Sequence, residues 1–155
     1  MKKGFTLIEL LIVIGIIAVL AGVTFVALNP LKRFQQARNS TRWGDVTSIL
    51  DAIKVHQVDN NGAYLAAVSG LTAGNLYTVG TCANGGDAGC GALVTQAACA
   101  DLSGLAPSYL AAVPKDPGTP GTDAKTDYYI SRSAQNVVTV GACDPEDSAV
   151  IVASR

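Results

Sequence analysis

From Phe5 to Leu28 every position is apolar or glycine except Thr6, Glu9 and Thr24. A helix of that length, at about 1.5 Å per residue, reaches roughly 36 Å and can cross a bilayer's hydrocarbon core. Asn29-Pro30 then breaks the run, because proline inside a helix removes a hydrogen bond and kinks the rod. Beyond it the pattern acquires a helical period. Val46, Ile49, Leu50 and Ile53 fall at i, i+3, i+4 and i+7, while Asp45, Ser48, Asp51 and Lys54 take the other faces. This spacing predicts an amphipathic helix from about Leu31 to Val58, ended by the turn residues Asp59-Asn60-Asn61-Gly62. The stretch from Ala63 to Cys99 is rich in Gly, Ala, Thr and Asn and shows no sustained period; Asn75 to Val79 is its one predicted strand. Three β-branched or aromatic runs follow, Tyr128 to Ser131, Val137 to Val140 and Ala149 to Val152, spaced for an antiparallel meander.

These elements predict an α+β fold in which the apolar stripe of the amphipathic helix packs on one face of a small C-terminal sheet. The chain divides into an apolar stem at 5–28, a spine helix at 29–62 and a head at 63–155, the head comprising loops over 63–127 and the meander over 128–155. Gly15 and Gly22 are weak points in the stem, each costing about 1 kcal/mol relative to alanine in a helix.

Glu9 is the anomaly of the stem. A carboxylate near a bilayer's apolar region costs roughly 2.5–3.5 kcal/mol on insertion scales, so an acid there has a partner, has a task, or sits near the interface. Lys2 and Lys3 precede the apolar run, and Val19-Leu20-Ala21 resembles a small-residue cleavage site, so a secretory signal and a permanent anchor are both in play. A glutamate inside the apolar core is unusual for a secretory signal.

The segment Gly4-Phe5-Thr6-Leu7-Ile8-Glu9 after a short basic leader resembles the class III signal of type IV pilins and type II secretion pseudopilins. The continuation Asn29-Pro30-Leu31-Lys32-Arg33 through Asn60-Asn61-Gly62-Ala63-Tyr64 is similar to the pattern in which one long helix is half membrane stem and half spine of a globular head, with the proline a few residues later than in many members. The resemblance implies a leader at 1–4, cleavage between Gly4 and Phe5 by a membrane-embedded prepilin peptidase, and methylation of the new N-terminus at Phe5. It also implies that Glu9 neutralises the Phe5 amine of a neighbouring subunit during assembly, a pairing that offsets two desolvation costs.

Composition fits a small extracytoplasmic domain on a stem. Net charge is −1, and loss of Lys2 and Lys3 with the leader leaves nine cations against twelve acids. No polybasic tract argues for nucleic acid as the main partner. The cations Lys32, Arg33, Arg38 and Arg42 that follow the stem outnumber those before it, which by the positive-inside rule puts the N-terminus outside. The family is oriented the other way, with a cytoplasmic N-terminus and an extracellular filament after assembly, and the cysteines favour an oxidising side for the head.

Cys82, Cys90, Cys99 and Cys143 admit three pairings and contain no C-x-x-C of the kind zinc sites use. The expected bridges are Cys82–Cys90, closing a tight glycine-rich loop, and Cys99–Cys143, bracketing the C-terminal region as pilin disulfides often do. Pro114-Lys115-Asp116-Pro117 is similar to the loop leading into the calcium site of major pseudopilins. Calcium takes six to eight oxygens, and Asp116, Asp123 and Asp127 are its candidate carboxylates, against a metal-free turn. Arg38 and Arg42, one helical turn apart, read as a solvated face or a contact for lipid headgroups, an anion or a neighbouring subunit. Trp43 reads as a packing residue and His56 as an ordinary helix residue. A single histidine permits neither a triad nor a two-histidine metal site, so no catalytic residue is assigned and the chain reads as a structural protein rather than an enzyme.

The function implied is that of a filament subunit of a type IV pilus or pilus-like fibre. Its implied partners are further copies of itself, the prepilin peptidase, membrane lipid before assembly, and an inner-membrane platform driven by a separate ATPase, since nothing here resembles a phosphate-binding loop. The alternatives are a major pseudopilin and, from another class, a membrane-anchored or secreted module that binds DNA or sugar.

Overall fold

The computed structural model describes residues 4–118 and 121–155, so Met1, Lys2 and Lys3 of the expected leader lie outside the described residues. The chain divides into two compact units, Met1–Gln35 and Gln36–Arg155. In the first, helix α1 runs Leu7–Leu28 and none of its residues is buried. Its 22 residues, about 33 Å of helix, are long and apolar enough to cross a membrane. The one hydroxyl in its second half, on Thr24, donates to the carbonyl of Ala21 at 2.9 Å and so needs no water there.

Asn29 separates α1 from α2 (Pro30–Asp59). It takes left-handed backbone angles (φ 39°, ψ 74°), which asparagine tolerates better than most residues. Its side-chain oxygen then accepts from the Lys32 amide at 3.4 Å, and Pro30 occupies the first position of the new helix, where a missing N–H is not needed. The interruption expected at Asn29-Pro30 is thus one residue, serving as the end of one helix and the cap of the next.

In the second unit, α2 buries the predicted stripe: Val46, Ile49, Leu50 and Ile53 are each at most 1 % exposed. They pack in one cluster with Val79, Leu102, Leu105, Ile130, Val138, Val140 and Ile151. Burying each such side chain stabilises by roughly 1.5–3 kcal/mol before entropy is counted. The sheet has four antiparallel strands among the described residues, in the order β1 (Leu76–Thr78), β2 (Tyr128–Arg132), β3 (Val138–Ala142), β4 (Val152–Ser154). The C-terminal three form the expected meander, with Ile130 opposite Val140 and Val140 opposite Ala153. The strand predicted around Asn75 to Val79 is recruited from the loop region to pair with β2, Tyr77 opposite Ile130. Tyr128 ties sheet to helix: its ring is fully buried and its hydroxyl donates to Asp45 Oδ2 at 2.6 Å.

The outer edge of β1 is covered by a second piece of the loop region. Residues 95–100 run parallel to it, the Gln96 amide donating to the Leu76 carbonyl and the Ala100 amide to the Thr78 carbonyl, both at 2.8 Å. This protects an edge that would otherwise offer unpaired backbone groups. It also corrects the disulfides. Cys82 is bonded to Cys99 and Cys90 to Cys143, not Cys82 to Cys90 and Cys99 to Cys143. The physical reason is backbone pairing: past the parallel run the chain turns back at Gly80, and the Cys99 amide donates to the Cys82 carbonyl at 3.0 Å, leaving their Cα atoms 5.1 Å apart, within the range a disulfide spans. Meanwhile the short 3-10 turn Gly86–Ala88 carries the chain away from Cys82, and its Gly86 carbonyl is held by the hydroxyls of Thr78 (2.8 Å) and Thr95 (2.6 Å). Cys90, wholly buried, meets Cys143 just beyond β3. Chain separation, the quantity a loop-closure argument weighs, is outvoted by backbone pairing. The bridges close sequence separations of 17 and 53, for which the loop-entropy model gives about 3 and about 4 kcal/mol.

Digestion with Asp-N and chymotrypsin without reduction separates all four cysteines into residues 78–86, 87–93, 94–100 and 130–143. Mass spectrometry is expected to find 78–86 linked to 94–100 and 87–93 linked to 130–143; a bond between 78–86 and 87–93 would contradict the fold of the loop region.

Candidate processing and assembly site

The three aspartates proposed for calcium do not converge, and among the described residues no group of three or more metal-ligating side chains comes together. Asp116 is committed elsewhere. Its carboxylate receives a two-pronged bond from Arg42, Nε to Oδ2 at 2.5 Å and Nη2 to Oδ1 at 2.8 Å, and Oδ1 also accepts from the Gly118 amide at 2.7 Å. Asp123 is exposed and pairs with Lys115 at 2.8 Å. Asp127 is half-buried; burial first, then the charges of Asp144 and Asp116, holds its carboxyl above the usual range. The three candidate carboxylates thus have different surroundings, and the turn at 114–118 is built around the Arg42–Asp116 ion pair.

That ion pair also overturns the solvated-face reading of Arg38 and Arg42. Arg42 is 1 % exposed, the largest of the fully buried side chains. Besides Asp116, its Nη1 donates to Asn39 Oδ1 at 2.8 Å and to Glu146 Oε2 at 3.0 Å. Arg38 donates from Nε to Glu146 Oε2 at 2.6 Å and from Nη2 to Oε1 at 2.5 Å, while Asn39 clasps the Glu146 backbone through Nδ2 to O (2.7 Å) and N to Oδ1 (3.0 Å). One helical turn of α2 thereby fastens two distant loops, and Gly118 is required because a Cβ there would meet Arg42 Nη2 at 2.6 Å. The bond from Arg38, with that from Arg42 behind it, holds the Glu146 carboxyl down at about 2. The carboxylates hold the Arg42 guanidinium charged well above its usual range, Asp116 the stronger influence. Sequence spacing showed the two arginines on one face; it held no sign that residues 116 and 146 would reach them. Trp43, expected to pack, is instead 44 % exposed. His56 sets its ring against the edge of Tyr109, centroids 5.3 Å apart.

The remaining candidates lie together at the start of the first unit. Gly4, Phe5 and Thr6 are outside any helix, and Phe5 is 80 % exposed. Thr6 has extended angles (φ −84°, ψ 152°) and caps α1, its hydroxyl accepting from the Glu9 amide at 3.3 Å. Thr6 and Glu9 thus occupy the two positions of a capping box, and the Glu9 carboxylate sits in the first turn, where the helix dipole favours an anion. A peptidase needs an accessible backbone, and the Gly4–Phe5 bond is exposed and non-helical, two residues ahead of the helix. The structure places Gly4, Phe5 and Glu9 within a single short segment, ahead of and inside the first turn of an apolar helix with nothing packed on it.

Residues 1–25 match the family model described as the prokaryotic N-terminal methylation motif, and the chain therefore carries the class III signal of type IV pilins and pseudopilins. No curated protein and no solved structure matches the chain.

Two outcomes follow for the arginine network. Arg42→Met is expected to lower stability by about 3–5 kcal/mol, because the buried Asp116 charge loses its guanidinium, whereas the double replacement Arg42→Met/Asp116→Leu recovers much of the loss. Near-UV circular dichroism of the full chain in detergent during thermal unfolding reads both. Glu146, depressed in the fold from an ordinary 4.5 to about 2, contributes stability that is present above pH 4.5 and is lost as pH falls toward 2. The fall in melting temperature over that window is expected to shrink in Glu146→Gln.

Proposed function

We propose that the chain is the structural subunit of a type IV pilus or pilus-like surface filament, processed by prepilin peptidase between Gly4 and Phe5, methylated at Phe5, and polymerised through its apolar helix. The observation that carries this reading is the juxtaposition at the N-terminus: an exposed, non-helical Gly4–Phe5 bond, a capped helix start, and one carboxylate in the first turn of a 22-residue helix that buries nothing. An apolar helix of this kind is stable in lipid or against other helices, and a subunit that passes from one to the other exchanges one burial for another. Glu9 is the registering residue. Cleavage creates an ammonium on Phe5, and pairing that cation with the Glu9 carboxylate of a neighbour offsets the cost of taking both from water. Before assembly the precursor is a single-pass membrane protein with a cytoplasmic N-terminus; afterwards the head is displayed outside the cell. Its partners are other copies, the peptidase, lipid, and a platform powered by a separate ATPase.

The second reading is a pseudopilin of a type II secretion system. It drew support from the Pro114 to Pro117 loop as a lead-in to calcium, and the engagement of Asp116 by Arg42 removes that support. The third reading is an anchored binding module.

Immunogold labelling of sheared surface material is expected to decorate long fibres; fibres only on overexpression would indicate a pseudopilin, and no fibres an anchored monomer. Intact mass of the fibre subunit is expected to correspond to a chain beginning at methylated Phe5. Glu9→Ala is expected to be processed but absent from fibres, and normal fibres with that substitution would remove its registering role.

A further inference from the structure

The head contains a cavity of about 340 Å³, near the lower end of the range small-molecule sites occupy. Its floor is Leu102 and Thr126, both buried, and its far wall is Ala106, Ala111, Ala112 and Val113. Three chain segments are laced together behind it by backbone bonds: Gly80 N to Ala100 O at 3.0 Å, Thr81 N to Asp123 O at 3.0 Å, and Thr126 N to Val79 O at 3.0 Å. The Cys82–Cys99 bridge lies one residue beyond this lacing on two of the segments. Gly80 is glycine because a Cβ there would run into the Ala124 carbonyl. The cavity is therefore preformed, so a ligand need not meet the entropic cost of building it.

Its lining chemistry is one-sided. Two carboxylates, Asp101 and Asp123, stand among the lining residues, and no cation or aromatic ring does. Asp101 is held by a bond from the Ser103 amide to Oδ1 at 2.9 Å, and its Oδ2 takes no bond among the described residues. Asp123 spends Oδ1 on Lys115, a side chain 44 % exposed that can swing aside. The lack of a ring to stack on disfavours a nucleobase or sugar face, and the two acids repel phosphate and carboxylate. A small aliphatic body suits the alanines and Val113, and a protonated nitrogen suits Asp101.

We propose that this cavity binds a protonated amine carried on a short aliphatic stem, with Asp101 as its charge partner and Ala112 forming part of the wall against which the stem packs. The site is independent of the filament reading. The same chemistry comes from a free alkylamine or from a lysine side chain of a partner protein, and two probes separate them.

The test is titration of the ¹⁵N-labelled full chain in detergent micelles with n-pentylamine, n-pentanoate and Nα-acetyl-lysine methylamide, read at the amides of Thr81, Ser103 and Val113. Pentylamine is expected to give saturable shifts at these positions, and pentanoate none. Asp101→Asn should weaken the amine about five-fold, the worth of one partly exposed ion pair. Ala112→Phe, at an exposed wall position, should fill the cavity and abolish the shifts while leaving the rest of the spectrum in place. Saturation by the blocked lysine as well as by pentylamine assigns the site to a protein side chain, and saturation by pentylamine alone assigns it to a free amine. Equal shifts with pentanoate, no saturable shifts with either amine, or shifts that persist in Ala112→Phe would each overturn the proposal.

Discussion

A guanidinium that is 1 % exposed cannot be tolerated without partners, and Arg42 sets that condition for the whole head. Asp116 and Glu146 lie 74 and 104 positions away in sequence, so the condition is met only when the loop at 114–118 and the turn at 144–147 have both closed onto one turn of α2. A hydrophobic stripe accepts many sheet placements that differ by a residue or two. A planar fork with five donors accepts few, because each misplaced oxygen leaves a buried donor unpaired. The apolar cluster around Val46, Ile49, Leu50 and Ile53 supplies the driving force, and the arginine selects the register in which that force is spent. Asn39 serves the same end, holding the Glu146 backbone from both sides.

The two units solve the burial problem in opposite ways. In residues 36–155, helix, sheet and loops bury one another and two disulfides lock what the core alone holds modestly. In α1 nothing is buried, and its ends and one hydroxyl are handled locally: Thr6 caps the start, Asn29 breaks off the end, and Thr24 bonds within its own turn. A helix with a self-contained backbone ladder and unpartnered apolar side chains is suited to a second environment, lipid or other helices. The chemistry that readies it for the change is concentrated at its start. Glu9 is a charge in the wrong solvent, yet its place in the first turn beside the Thr6 cap gives it local stabilisation, to which the proposed cleavage would add a partner.

What could be read in advance was what depends on neighbouring residues. The period of Val46 to Ile53 located the spine, the β-branched runs located β2, β3 and β4 within a few positions, and Gly4-Phe5 with Glu9 marked the segment that the methylation-motif model matches. What escaped was every feature made by pairing across long separations. The recruitment of β1 to the meander, the parallel run of 95–100 along it, and so the partner of each cysteine depend on which backbone edge is left open, and composition does not say. Asp116 illustrates the same point from the side of chemistry. Seen along the chain it belongs with Asp123 and Asp127, three acids in a turn-rich loop. In the fold its neighbour is an arginine on another element, and a carboxylate already neutralised by a fork of donors has little left to offer a cation.

The charge balance around the stem follows from this. Counting cations after the apolar run gives four, and the count opposes a cytoplasmic N-terminus. Two of those four, Arg38 and Arg42, are matched in the folded head by Glu146 and Asp116. Acids weigh little in the positive-inside rule, so these partners leave the count itself standing. The disulfides weigh on the other side. Cys82–Cys99 and Cys90–Cys143 leave no free cysteine among the described residues, an arrangement that persists in an oxidising compartment and not in a reducing one. The linear charge count and the bridges thus favour opposite sides of a membrane for the head, the count through cations that the fold uses as ties and the bridges through the redox conditions they need.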